Sequence, residues 1–269
     1  LSKALAGKIA NVDLSLGSEL YTTASGASTP KDVETMFQLL YLYFTNISKD
    51  QKTFDNLLTQ MEVKLKNRSL DPETALSDSL NATIYNHNAR MEPLTVEKLK
   101  NINYDRILQI AKERTANAKA WTFTIIGNFD ETTIRPLICQ YIGALPSAGK
   151  VVASKREVKP VTGVVENIFK RKQETPKSTA YMMWHNTTMP YNTKNALCAS
   201  IAGQILSMEY LDKIREKESA AYSVGANGGC SVGKDNYRMF QIFAYCPMKP
   251  EKKDVAMRIM NDEVKNLAN

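Results

Sequence analysis

From residue 29 the apolar positions fall on a helical period. Thr29-Pro30-Lys31-Asp32 predicts a helix start, with Thr29 as N-cap, Pro in the first turn and an acid three residues on. Val33, Met36, Phe37, Leu40, Tyr41 and Phe44 then make one buried stripe. Phe54, Leu57, Leu58, Met61 and Leu65 predict a second amphipathic helix. Asp71-Pro72 caps a third carrying Ala75, Leu76, Leu80 and Ile84. Thr95 starts a fourth, which residues 104–114 continue or follow. Ahead of these, the alternation of Val12, Leu14 and Leu16 predicts a strand pair over residues 12–23.

Residues 120–126 (Ala-Trp-Thr-Phe-Thr-Ile-Ile) read as a strand that Gly127-Asn128-Phe129-Asp130 ends. Asp130 caps a helix running to about Ile142, kinked by Pro136. Pro146-Ser147-Ala148-Gly149 and the basic stretch up to Pro160 form the best linker in the chain. Beyond it, residues 161–169 and 178–185 alternate as strands. Helices are expected over 194–208, with Ala196, Ile201, Ile205 and Met208 on one side, and over 209–218. Strands follow over 221–228 and 238–246, then a helix from Pro250. The second half therefore reads β-β-α-α-β-β-α. The expected fold class is α+β, with a first domain at residues 1–148, a linker at 149–160 and a second domain at 161–269.

Composition narrows the function. At 269 residues, 43% hydrophobic and 23% charged, the chain is ordinary for a globular protein and long enough for two domains. No stretch approaches the roughly 18 apolar residues of a membrane span. The net charge of +7 suits an acidic partner such as nucleic acid. However, bases and acids are interleaved, as in Glu216-Lys217-Glu218. The denser clusters, Lys170-Arg171-Lys172 and Lys249 with Lys252 and Lys253, lack the interleaved aromatics of single-strand binders. The four cysteines form no CxxC pair. Cys139 and Cys198 lie in helical apolar patterns and are expected in the core, and Cys230 and Cys246 would not face each other across a hairpin.

The search for self-sufficient chemistry returns little. The two histidines, His87 and His185, have neither a second histidine four residues away nor a neighbouring glutamate, so no H-E-x-x-H site or its inverse can be built. His87 reads as a polar loop residue and His185 as a rim residue at a strand end. No G-x-S-x-G, P-loop or G-x-G-x-x-G occurs, and residues 225–229 read as a glycine-rich turn.

One segment is more specific. Leu211-Asp212-Lys213-Ile214-Arg215-Glu216-Lys217-Glu218-Ser219-Ala220-Ala221-Tyr222-Ser223-Val224 resembles the Arg/Tyr motif of the pitrilysin/insulinase family of zinc metallopeptidases. In that motif an Arg-Glu-Lys helix end is followed, seven residues after the arginine, by Tyr-Ser-Val entering a strand. Ala6-Gly7-Lys8, Ser28 to Glu34, Tyr43-Phe44-Thr45, residues 123–130 and Leu145-Pro146 are similar to the same family and follow its order. The resemblance implies two α+β sandwich domains of the metallohydrolase type seen in mitochondrial processing peptidase. The family's proteins have two homologous halves closing on a chamber. Zinc sits on the first half through H-x-x-E-H and a later Glu, and the second half supplies the arginine and tyrosine to the substrate. Carried over, these substrate-binding roles fall on Arg215 and Tyr222, with no metal ligand and no cofactor in this chain. The implied partners are the N-terminal catalytic half, or a paired subunit, and a peptide substrate. Bacterial relatives of this type often work in the cell envelope, so the resemblance implies the cell envelope or periplasm for a bacterial source.

The chain departs from the pattern at Ser219, where the family commonly has Gly. Compared with the family it also begins inside a first domain and stops within a second, which implies a fragment with both domains truncated. Without the resemblance, Arg215 would be read as pairing with Glu216 or Glu218 on a helix surface, and Tyr222 as a half-buried strand aromatic. Two rival functions stand beside the clamping role: a structural subunit of the same fold, like the core proteins of the respiratory bc1 complex, and a basic nucleic-acid-binding module.

Overall fold

The computed structural model describes residues 5–17, 19–68, 70–151 and 153–267. The chain divides into two compact units that part between Val161 and Thr162. Both combine helices with a small antiparallel sheet, an α+β architecture.

In the first unit, strands β1 (Ala10–Ser15) and β2 (Thr23–Ser28) pair antiparallel, with Ala10 opposite Ser28. Helix α1 (Val33–Thr45) packs on them and buries Phe37, Leu39 and Phe44. Its start differs from the expected cap. Pro30–Asp32 forms a 3-10 turn, and the Thr29 hydroxyl donates to Asp32 at 3.1 Å instead of accepting from the helix. The buried Asp32 carboxylate also accepts the Ile9 amide at 3.0 Å, tying β1 to the helix start. Helices α2 (Gln51–Arg68) and α3 (Pro72–Ile84) bury no residue fully, and Leu57 on the expected stripe is exposed. Asp71, Thr95 and Asn103 cap α3, α4 (Val96–Lys100) and α5 (Tyr104–Thr115), each accepting the amide three residues on. Asp130 caps α6 (Glu131–Leu137) in the same way. Pro136, which has no N–H to give, lies inside that helix, and the turn after it widens to π geometry over Ile138–Ile142.

Residues 120–126 are not a strand. The rings of Trp121 and Phe123 pack near Phe44, with centroids 4.8 and 6.1 Å away, but the segment has no ladder partner among the described residues and Ile126 is 91% exposed. Alternation predicts an extended backbone, whereas a strand also needs a neighbour to take its hydrogen bonds. The same holds for residues 161–169, where Val164 and Ile168 are exposed and unladdered.

The second unit is built on strands β3 (Ser178–Asn186), β4 (Gly225–Val232) and β5 (Arg238–Met248), in the order β3-β5-β4 and all antiparallel. Residues 225–229 are therefore strand, not turn. Helices α7 (Thr193–Tyr210) and α8 (Lys253–Asn266) accompany this sheet. The expected second helix is instead a π-helical continuation of α7 over Leu211–Lys217, so the order is β-α-β-β-α.

The glycines explain the seat of α7. A Cβ on Gly203 would collide with the Gly228 amide nitrogen, and one on Gly228 with the Ala199 carbonyl oxygen. Two missing side chains let helix backbone rest on strand backbone. That contact turns Gly203, Leu206 and Tyr210 inward, while Ile201 and Met208 of the predicted face are exposed. The core gathers Leu206, Tyr210, Ile214, Val224, Ala244, Cys246, Met248, Ala256 and Met260. Cys246 is its cysteine, and burial pushes that thiol up to about 11. Cys139 and Cys198, expected inside, are both exposed.

Candidate functional site

The π-helical turn after α7 is pinned from below. Tyr210 is fully buried and donates its hydroxyl to the Met260 carbonyl of α8 at 2.9 Å, and burial pushes its pKa upward. Ile214, one turn later, is also fully buried. Between them Lys213 bridges Glu209 at 2.9 Å and Glu263 of α8 at 2.7 Å. Those hydrogen bonds, Glu263 first, raise its pKa, and Lys213 in turn lowers that of Glu263.

Arg215, next to the buried Ile214, lies on the exposed side of the turn, its side chain 45% exposed. Ser219 closes the turn with a φ of 48°, in the left-handed region. Its amide bonds the Arg215 carbonyl at 3.1 Å, and the Ala220 amide bonds the Ile214 carbonyl at 2.9 Å. This is the helix-ending geometry that glycine adopts most cheaply. Ala220 and Ala221 turn into the core, and the Ala220 carbonyl accepts the Lys249 amide just beyond β5 at 2.9 Å. Glu218 pairs with Lys252 at 3.0 Å. With both alanines and Val224 anchored, Tyr222 projects into solvent at 87% exposure.

The outcome is a juxtaposition of the two residues singled out from sequence. The Arg215 guanidinium carbon lies 5.4 Å from the centroid of the Tyr222 ring, within cation–π range. Arg215 also reaches Glu216 at 3.4 Å, as the plain helix-surface reading expects, whereas Glu218 is taken by Lys252. Tyr222 is not half-buried in a strand, because β4 begins only at Gly225. Pattern reading missed the anchors. The Lys249 backbone bond leaves no side-chain signal, and Gly228-Gly229 was open to reading as a turn.

The histidines are not part of this site. His87 has a φ of 53° and lies 3.9 Å from Glu92, while His185 sits within β3 opposite Gln241. Among the described residues no group of three or more His, Cys, Asp or Glu is placed to hold a metal ion. No helix among them is long and apolar enough to cross a membrane.

Residues 101–269 match the family model described as the peptidase M16 inactive domain. The chain is 21% identical over 252 residues to the probable zinc protease PqqL of Escherichia coli K12, covering 93% of this chain and 27% of that protein. It is 26% identical over 116 residues to a PQQL-like zinc protease of Arabidopsis thaliana, covering 43% of this chain and 12% of the relative. The crystal structure of the periplasmic protease PqqL from Escherichia coli superposes with a TM-score of 0.82 at 20% identity, over 99% of this chain and 29% of that one. The chain thus spans little more than a quarter of the length of PqqL, and less of the plant relative.

Proposed function

Because the chain belongs to the peptidase M16 inactive-domain family, we propose that it is the substrate-clamping half of a zinc metalloendopeptidase whose zinc is held by the other half. The proposed domains are α+β sandwiches at residues 1–148 and 161–269, with residues 149–160 as the linker. The partners are the catalytic half and a peptide substrate. In a bacterial source the compartment is the periplasm or cell envelope, as for the Escherichia coli protein described as a periplasmic protease.

The carrying observation is the placement of Arg215 against Tyr222 on an anchored turn, with Tyr222 facing solvent. A guanidinium and a phenol O–H are both donors, and neither needs to change protonation to act. A peptide carbonyl under attack by water gains negative charge on oxygen, and preorganised donors stabilise that charge more than they stabilise the ground state. Arg215 brings a fixed fork of N–H groups, and the ring beneath limits where the fork points. The nearby Glu216 offers the guanidinium a resting partner that a substrate would displace.

The test is kinetic and uses the zinc-bearing parent protein. Arg215→Gln or Tyr222→Phe is expected to lower kcat/KM by about 100-fold each, the scale for losing one donor to a developing oxyanion. Zinc content should stay unchanged. Full activity with both substitutions would instead favour a structural subunit of the same fold.

A further inference from the structure

Most charges of the π-helical turn are surface charges. Lys217 meets Asp212 at 2.6 Å and Arg215 meets Glu216 at 3.4 Å, with all four side chains exposed. Such pairs contribute little to stability. Lys213 is different. Its ammonium lies between Glu209 of α7 and Glu263 of α8, and the Glu263 side chain is only 11% exposed. Drawing an ammonium and a carboxylate out of water costs hydration that their attraction only just returns. Apolar side chains of similar volume would stabilise such a contact as well or better. What an apolar contact lacks is direction, and an ion pair held inside a fold serves best to mark a register.

This segment needs a register. The Glu218 amide reaches back five residues to the Lys213 carbonyl at 3.2 Å, so the turn is π and not α. A π turn holds about one residue more than an α turn, and a slip between the two rotates the residues beyond by about 100°. Two rungs to α8 oppose the slip. Tyr210 donates to the Met260 carbonyl, and Lys213 donates to Glu263, three residues further along on each side. Tyr210 alone is compatible with either winding, whereas both rungs together select the one that brings Lys213 to Glu263.

Tyr222 is held by a separate set, the Ala220–Lys249 backbone bond and the buried Ala221 and Val224. We infer that Lys213 is a positioning residue for Arg215, its bridge to Glu263 keeping the π register that sets the guanidinium over the Tyr222 ring. Lys213 acts through Arg215 and not on the substrate, because its ammonium is committed to two carboxylates. The inference rests on the clamping role proposed above.

The deciding variant exchanges the rung for an apolar contact, Lys213→Met together with Glu263→Leu. In this chain its melting temperature is expected at or above that of the unsubstituted protein. The Arg215 side-chain N–H signal in NMR spectra, identified by its loss in Arg215→Gln, is displaced by the Tyr222 ring. In the variant it should move to the position of a solvated arginine. In the zinc-bearing parent protein kcat/KM should fall about tenfold, through kcat and with KM little changed, because a misplaced donor loses transition-state stabilisation. Added to Arg215→Gln, the two substitutions should cost nothing further, and added to Tyr222→Phe they should cost the same as alone. An Arg215 signal that stays in place in the folded variant would overturn the inference. So would a kcat/KM left unchanged where Arg215→Gln lowers it, or an equal loss with and without Arg215→Gln. Glu263→Gln, which leaves Lys213 its bond to Glu209, carries the same readouts should the double variant not fold. If Arg215→Gln leaves turnover unchanged, the clamping role fails, and the Arg215 signal alone decides whether Lys213 positions it.

Discussion

Ser219 holds a φ of 48° in the turn that aims Arg215 and Tyr222, a conformation that costs an L-residue about 1–2 kcal/mol. Glycine removes that cost but gives back part of the gain through its freer unfolded chain. Ser219→Gly is therefore expected to stabilise the protein by about 1 kcal/mol, readable as a higher urea midpoint at unchanged slope. Asp32 is a second residue whose role is local. The Ile9 amide first, then the Thr29 hydroxyl and the Lys8 charge, hold its carboxyl below the usual carboxylate value against the opposing effect of burial. A carboxyl depressed in the folded state stabilises it above the unfolded pKa of about 4, and that contribution disappears as pH falls through the folded value. Asp32→Asn should lower the melting temperature at pH 7, and the gap from the parent should close on acidification below pH about 4. A gap that does not change with pH would show that packing, not charge, is what the substitution removes.

Helix α7 shows what pattern alone could and could not specify. Its extent was legible: Asn192 caps it through the Asn195 amide, and apolar residues recur to its end. Its buried face was not, because Ile201 and Met208 are more apolar than Gly203 yet lie outside. The deciding term is steric, since only the glycine side of α7 approaches β4 closely enough. Gly203→Ala is expected to cost about 3 kcal/mol by overpacking, whereas Ile201→Ala on the exposed side should cost well under 1 kcal/mol. Comparable losses at both positions in denaturant unfolding would contradict the seating. Strands divide in the same way. Residues 178–186 and 238–248 alternate and find each other, but residues 120–126 alternate equally well and, among the described residues, have no partner to form a ladder. Local sequence encodes extension, while pairing depends on what else is nearby. Of the proposed site, Arg215 and Tyr222 stand out in the sequence because their spacing and the Arg-Glu-Lys helix end resemble a family motif. The Lys249–Ala220 bond and the Lys252–Glu218 pair that steady the turn connect positions about 30 residues apart, and no local pattern announces them.

At the scale of the whole molecule, the chain combines an inactive-domain family membership, a solvent-facing donor pair and, among the described residues, no cluster of metal ligands. Under the proposed function, the chain's share of the reaction is to hold the peptide and polarise its carbonyl, with the zinc-activated water supplied by the other half. The first unit contributes to this account through its fold only. The most direct test of the division of labour is zinc stoichiometry and peptide cleavage measured on the purified chain by itself, after saturation with zinc and removal of excess. The account predicts well under one zinc per chain and no zinc-dependent cleavage. One tightly held zinc per chain, with peptidase activity that a chelator abolishes and added zinc restores, would contradict it.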